Sequence, residues 1–238
     1  QAGAHAGAIS ALKRKLEQVA RQGFVREHAP AATIDRMIDQ LAHGRHIVLE
    51  FGQYRNALAY MLVANIITRR IHRRWVEQTE TFMRTKNVAD KPRQLVITIE
   101  EAHKFLNAAG AKQTIFGVIA RELRKYSVTL LVVDQRPSSI DPEVMSQIGS
   151  RVTALLNDDR DIDAVFTGVS GSSSLRAVLA SLDPRQQALV LGHAVPMPVV
   201  VRTRAYDADF YRAMGHRETA VAETRRRAYE EADELFPS

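Results

Sequence analysis

Apolar positions in this chain follow two rhythms: a helical recurrence every three or four residues, and short unbroken runs rich in β-branched side chains. Two helices open it. Residues 9–21 place Leu12, Leu16 and Val19 on one face, and residues 33–41 follow Pro30 with Thr33 as a cap. Residues 46–51 read as a first strand. Residues 54–75 read as a long helix whose broad apolar face, built on Leu58, Met61, Leu62, Ile66 and Ile67, predicts packing against a sheet. After a polar linker over 86–94 come two buried-strand runs, Leu95-Val96-Ile97-Thr98-Ile99 and Val128-Thr129-Leu130-Leu131-Val132-Val133. Between them lie a small-residue loop at 107–112 and a helical pattern over 115–126 carried by Ile115, Val118, Ile119 and Leu123. Such a crossover makes the two strands parallel.

The later part keeps alternating. Asp141-Pro142 announces a short helix within 137–149, with Asp as cap and Pro at the first helical position. A strand at 151–156, a helix at 158–167, a turn at 168–174 and a helix at 175–182 precede two strands, 187–192 and 199–204, joined around Pro196 and Pro198. Residues 217–235 read as a charged helix whose apolar residues, Val221, Tyr229, Leu235 and the adjoining Phe236, are too sparse to dock it in its own core, which leaves two expectations: a cover supplied by a neighbouring subunit, or a frayed, solvated helix. No internal repeat is present. The pattern predicts an α/β chain with a mainly parallel sheet flanked by helices: a helical segment over 1–45, a core over 46–205 and a helical tail over 206–238.

Composition removes several classes. With 45% hydrophobic and 25% charged residues in 238, the chain is ordinary globular material. It has no cysteine, which excludes a disulfide framework and thiolate metal sites. No apolar run approaches the roughly 20 residues a bilayer span needs, so no membrane partner is expected and the expected location is cytoplasmic. A net charge of +6 and pI near 9.8 suit a polyanion. The basic end of the long helix, Arg69, Arg70, His72, Arg73 and Arg74, spreads around the helix and reads as solvated surface rather than a phosphate track.

Candidate chemistry gathers where the two buried runs end. Glu100 and Glu101 close the first, at the carboxyl edge where α/β proteins bind ligands. Adjacent acids there suit a magnesium ion and a water, one acid holding the ion and the other orienting the attacking water; acids in a helical first turn, favoured by the dipole, are the plain alternative. Asp134-Gln135-Arg136-Pro137-Ser138 closes the second run and turns Gln135 toward the same crevice. Arg121, Arg124 and Lys125 lie at the end of the connecting helix, where an arginine at a subunit interface reaches a neighbour's phosphate; Lys125 reads as surface. His103 reads as a hydrogen-bonding relay or packing residue. His43 and His46 lack a third ligand, the 168–174 turn lacks a lysine for phosphate, and Ser170 lacks the second glycine of a nucleophile elbow.

Three blocks carry a family resemblance: Ile-Glu-Glu-Ala-His-Lys-Phe at 99–105, Ile-Ala-Arg-Glu-Leu-Arg-Lys-Tyr at 119–126 and Asp-Gln-Arg-Pro-Ser-Ser-Ile-Asp-Pro-Glu-Val-Met-Ser-Gln at 134–147. Together they resemble the HerA group of HerA/FtsK-type hexameric DNA-translocating ATPases, over about residues 46–204. The resemblance implies a RecA-like core that uses ATP and Mg²⁺. It makes Glu100 the Walker B acid that holds Mg²⁺ through water and Glu101 the catalytic glutamate. Gln135 becomes the γ-phosphate sensor, and Arg124, with Arg121 as alternative, the arginine that reaches the adjacent subunit's nucleotide. Expected partners are further copies of the chain in a hexameric ring, double-stranded DNA and a NurA-like nuclease, in end processing or defence.

Departures from the pattern are specific. Glu100 stands where Asp is commoner, and Asp134 where Ser or Thr usually precedes Gln-Arg-Pro. No glycine is followed by lysine, so the Gly-x-x-x-x-Gly-Lys phosphate loop is missing. The chain therefore reads as the carboxyl-terminal portion of a longer ATPase, inactive by itself. A type IV secretion-like ATPase and a non-hydrolysing ring scaffold are the alternatives.

Overall fold

A computed structural model describes residues 6–25, 33–52, 57–113, 115, 117, 123–169, 171–214, 223, 226–227 and 229–230. The expected helix over 115–126 lies largely outside these, as does most of 217–235. The chain divides into two compact units, Gln1–Ile71 and His72–Ser238.

In the first unit, α1 (Ala6–Ala20) and α2 (Thr33–Ala42) form as the periodicity predicts. Leu12 and Leu16 of α1 nevertheless stay exposed. Residues 46–51 are not a strand: they have no ladder partner among the described residues, and Val48 is 82% exposed. An apolar run becomes a strand only where another strand takes up its amides. Phe51 instead stacks edge-on against Tyr60, ring centroids 4.5 Å apart.

Helix α3 (Ala57–Thr85) runs ten residues past the expected end. Residues 76–85 contain neither Gly nor Pro, and the buried stripe Thr68, Ile71, Trp75 and Thr79 keeps helical spacing through the region where the apolar signal thins. Trp75 is fully buried and donates its indole N–H to the Arg93 carbonyl at 2.8 Å, fixing the linker that feeds the next strand. Arg70 forms an ion pair with Asp35 at 3.1 Å and Arg69 donates to Asn65, as expected of a solvated face.

The second unit is α/β. β1 (Leu95–Glu100) and β2 (Val128–Val133) pair in parallel. After β1 come α4 (His103–Leu106) and α5 (Ala108–Gln113), the latter where a loop was expected. Three alanines in six residues favour a helix, and the Asn107 side chain accepts from the Gly110 amide at 2.9 Å to start it. Next come α6 (Pro142–Gln147), α7 (Asp159–Val165) and α8 (Ser172–Ala180). Asp141 and Asp158 cap α6 and α7 through their carboxylates.

β3 (Ser150–Thr153), β4 (Gln187–Gly192) and β5 (Val199–Arg202) form a separate antiparallel sheet, order β3-β4-β5. The parallel part of the described strands is thus the β1–β2 pair. Ile162, Val165, Phe166, Leu179, Leu182, Leu189 and Leu191 build a core between α7, α8 and β4. Gly192 meets Gly149 backbone to backbone: at φ 95°, a Cβ there would fall 2.1 Å from the Gly149 carbonyl oxygen, so only glycine fits.

Arg151 of β3 is buried without a carboxylate partner among the described residues. Its guanidinium donates to the Val165 carbonyl and, at 2.6 Å, to that of Met145, the last turns of α7 and α6. Helix carboxyl ends carry orphan carbonyls and negative potential, which favour a cation. Burial lowers its pKa. Arg151→Met keeps the volume and strips both carbonyls of their donor. It should cost about 2 kcal/mol in denaturant unfolding; a loss under roughly 0.5 kcal/mol, the range of ordinary surface changes, would mean the guanidinium is not structural.

Candidate nucleotide site at the carboxyl edge of the parallel pair

Register decides what shares this edge. Leu95 lies opposite Val128 and Glu100 opposite Val133, so the next residues, Glu101 and Asp134, leave the parallel pair together. At Glu101 the chain turns from strand to helix with φ 50°. A left-handed glutamate costs about 1–3 kcal/mol and persists only when its surroundings impose it. Here the Ala102 amide donates to the Val133 carbonyl at 3.4 Å and the Lys104 amide to that of Glu101 at 2.9 Å.

Asp134 is the buried member, its side chain 4% exposed. Oδ2 accepts the His103 amide at 2.7 Å and lies 2.8 Å from the His103 Nδ1; Oδ1 accepts the Arg136 amide at 2.6 Å. Burial alone would raise its pKa. The amides of His103 and Arg136, then the imidazole, more than offset this and hold the carboxyl below its ordinary 3.8. An ionised carboxylate only accepts, so Nδ1 of His103 carries a hydrogen. That leaves Nε2, which lies 3.9 Å from Oε2 of Glu101.

The Arg136-Pro-Ser-Ser-Ile-Asp141 run is tied at both ends. Ser138 donates its amide to Asp161 of α7 at 2.9 Å, and Asp141 donates its amide to the Leu106 carbonyl at 2.7 Å. Pro137 opens a single 3₁₀ turn, Pro137–Ser139. The segment that displays Gln135 is therefore braced against α7 and the end of α4.

Glu100 and Gln135 are exposed at the edge and form no side-chain hydrogen bond or ion pair with other described residues. No group of three or more His, Asp or Glu side chains among the described residues is arranged to hold an ion. A divalent cation would thus use Glu100 with phosphate and water, the coordination magnesium adopts beside nucleotides. Arg121 lies outside the described residues. The Arg124 backbone belongs to the turn Leu123–Tyr126, which enters β2 at the end away from Asp134. Lys125 is exposed and lies 5.4 Å over the Tyr126 ring. The Asp134 to His103 bond was not foreseen; its sequence signal is Asp in place of the small hydroxyl residue that usually precedes Gln-Arg-Pro.

No protein-family model matches the chain. It is similar to the DNA double-strand break repair helicase HerA of Saccharolobus solfataricus, 31% identical over 138 residues, 57% of this chain and 27% of that protein. The same-named protein of Pyrococcus furiosus is 33% identical over 111 residues, 45% of this chain and 20% of the relative. That of Methanocaldococcus jannaschii, a probable HerA, is 28% identical over 166 residues, 68% and 32%. Over these segments the chain resembles HerA proteins. It spans only 20 to 32% of these HerA relatives. Among solved structures, the chain is similar to the genome packaging NTPase B204 of Sulfolobus turreted icosahedral virus 2 in complex with sulfate, 11% identical over 85% of this chain and 94% of that one, TM-score 0.47. That likeness is too loose to carry an assignment. No described helix is long and apolar enough to cross a membrane.

Proposed function

We propose that this chain is the carboxyl-terminal part of an ATP-driven translocase that assembles as a ring and moves duplex DNA, acting with a nuclease in end processing or defence. The observation that carries the reading is the shared edge, where the register of β1 and β2 brings the Glu100-Glu101 pair and the Asp134-Gln135 pair to one end of the parallel strands. In this reading Glu100 would hold Mg²⁺ through water, an ion that would supply charge neutralisation at the transferring phosphate, and Glu101 orients the attacking water and accepts its proton. Gln135 senses the γ-phosphate, and Arg124, with Arg121 as alternative, reaches the neighbouring subunit's nucleotide.

Phosphate binding falls to a loop this sequence does not contain. The 238-residue chain should therefore hydrolyse ATP at background rate, whereas a protein joining these residues to a Gly-Lys-Ser or Gly-Lys-Thr loop should turn over ATP faster with duplex DNA. A phosphate-release assay with and without DNA tests both arms. Background turnover in the P-loop protein would replace the motor with a ring scaffold, and substantial turnover by the chain alone would move the phosphate site elsewhere.

A further inference from the structure

Glu101 has a backbone held in a strained conformation and a carboxylate that is not. Its side chain is 44% exposed and, among the described residues, forms no hydrogen bond or ion pair apart from the approach to His103. A glutamate loose on three rotatable bonds points at water only part of the time, and fixing it costs rotamer entropy. His103, by contrast, is fixed at two points. One oxygen of Asp134 takes both its backbone amide and its Nδ1, which sets where the residue stands and how its ring is turned. A residue serving only to start α4 would need the first bond and not the second. The second bond directs the remaining nitrogen, Nε2, to Glu101.

We propose that His103 and Asp134 are positioning residues for Glu101: the buried carboxylate of Asp134 fixes the ring through Nδ1–H, and the ring, carrying a hydrogen on both nitrogens, donates from Nε2 to the carboxylate of Glu101. The 3.9 Å separation is ion-pair range rather than a closed hydrogen bond, and hydrogen bonds to catalytic groups commonly shorten once substrate is bound. Asp134 is thereby more than a tolerated departure from a small hydroxyl residue. A serine or threonine side chain is shorter and carries one oxygen where Asp134 uses two, for three donors.

The inference rests on the catalytic role proposed for Glu101, and two isosteres of histidine separate the two ideas. In His103→Asn the amide nitrogen replaces Nδ1 and keeps the bond to Asp134, but nothing reaches Glu101. In His103→Gln the amide reaches toward the position of Nε2. In the protein that carries its P-loop, His103→Asn should lower kcat by roughly 10- to 100-fold, the scale of a small misplacement. The KM for ATP should stay within about two-fold, since a transition-state interaction is what is lost, and His103→Gln should recover part of kcat.

Wild-type kcat in His103→Asn, or equal losses in both variants with the fold intact, would overturn the proposal. If Glu101→Gln removes turnover while His103→Asn does not, the positioning role alone fails. If Glu101→Gln keeps turnover, both ideas fail. An independent readout needs no catalysis: long-range ¹H–¹⁵N spectra of the unaltered 238-residue chain, with His103 assigned by its loss in His103→Gln, should show a hydrogen on both Nδ1 and Nε2. A bare nitrogen at either position would overturn the proposal.

Discussion

Glu101→Gln should lower ATP turnover by roughly 10²- to 10⁴-fold, the share general-base groups usually contribute, in a protein joining these residues to their phosphate loop. Nucleotide affinity, read by calorimetry, should be nearly unchanged. The amide keeps the shape and the charge-independent contacts of the glutamate but takes no proton and polarises water poorly. Turnover within a few-fold of wild type would place the base elsewhere. The backbone at this position adds a second readout. With φ at 50°, residue 101 stands where glycine is at ease and glutamate is not. Glu101→Gly should therefore be as inactive as Glu101→Gln yet keep its thermal stability or gain up to about 1 kcal/mol. A clear loss of stability would show that the glutamate is retained for the fold.

Arg124→Ala carries the other large effect. An arginine acting on a neighbour's nucleotide is worth about 10³-fold or more in turnover, and its loss should leave subunit stability unchanged. Mixing decides whether it acts across subunits. Rings assembled from Arg124→Ala and Glu101→Gln subunits should regain activity, because some adjacent pairs then join an intact glutamate to an intact arginine. Mixtures shown to co-assemble without regaining activity would place Arg124 in its own subunit's site or on the surface. Arg121→Ala in the same format tests the alternative arginine.

What was legible in the sequence follows from how local each signal is. β1, β2 and β4 fall within a residue of their apolar runs because unbroken β-branched stretches bounded by polar residues leave little choice. The carboxylate pair and the Gln-Arg-Pro turn were readable for the same reason. Residues 46–51 look like the same kind of run and are not a strand, since strand formation depends on a partner that the segment itself does not encode. The apolar pattern ends ten residues before α3 does, because buried Thr79 is polar and satisfies its hydroxyl on the Trp75 carbonyl. α5 reads as a loop in the sequence because Gly110 interrupts its alanines. The tie from Asp134 to His103 joins residues 31 apart; only the register of two strands brings them together, and no spacing along the chain predicts it.

The guanidinium of Arg151 has a bearing on how this part of the molecule opens. It joins a strand to the ends of two helices, so unwinding the last turn of α6 or α7 strips a donor bond from β3, and pulling β3 away uncaps both helices. Elements linked in this way should exchange their amide hydrogens together rather than fraying one at a time, which native-state hydrogen exchange over residues 142–165 would read. The same stretch holds Asp161, which grips the amide of Ser138 three residues beyond Gln135. Motion at the Gln135 end of the β1–β2 edge is in this way set against the free energy of opening a whole subdomain.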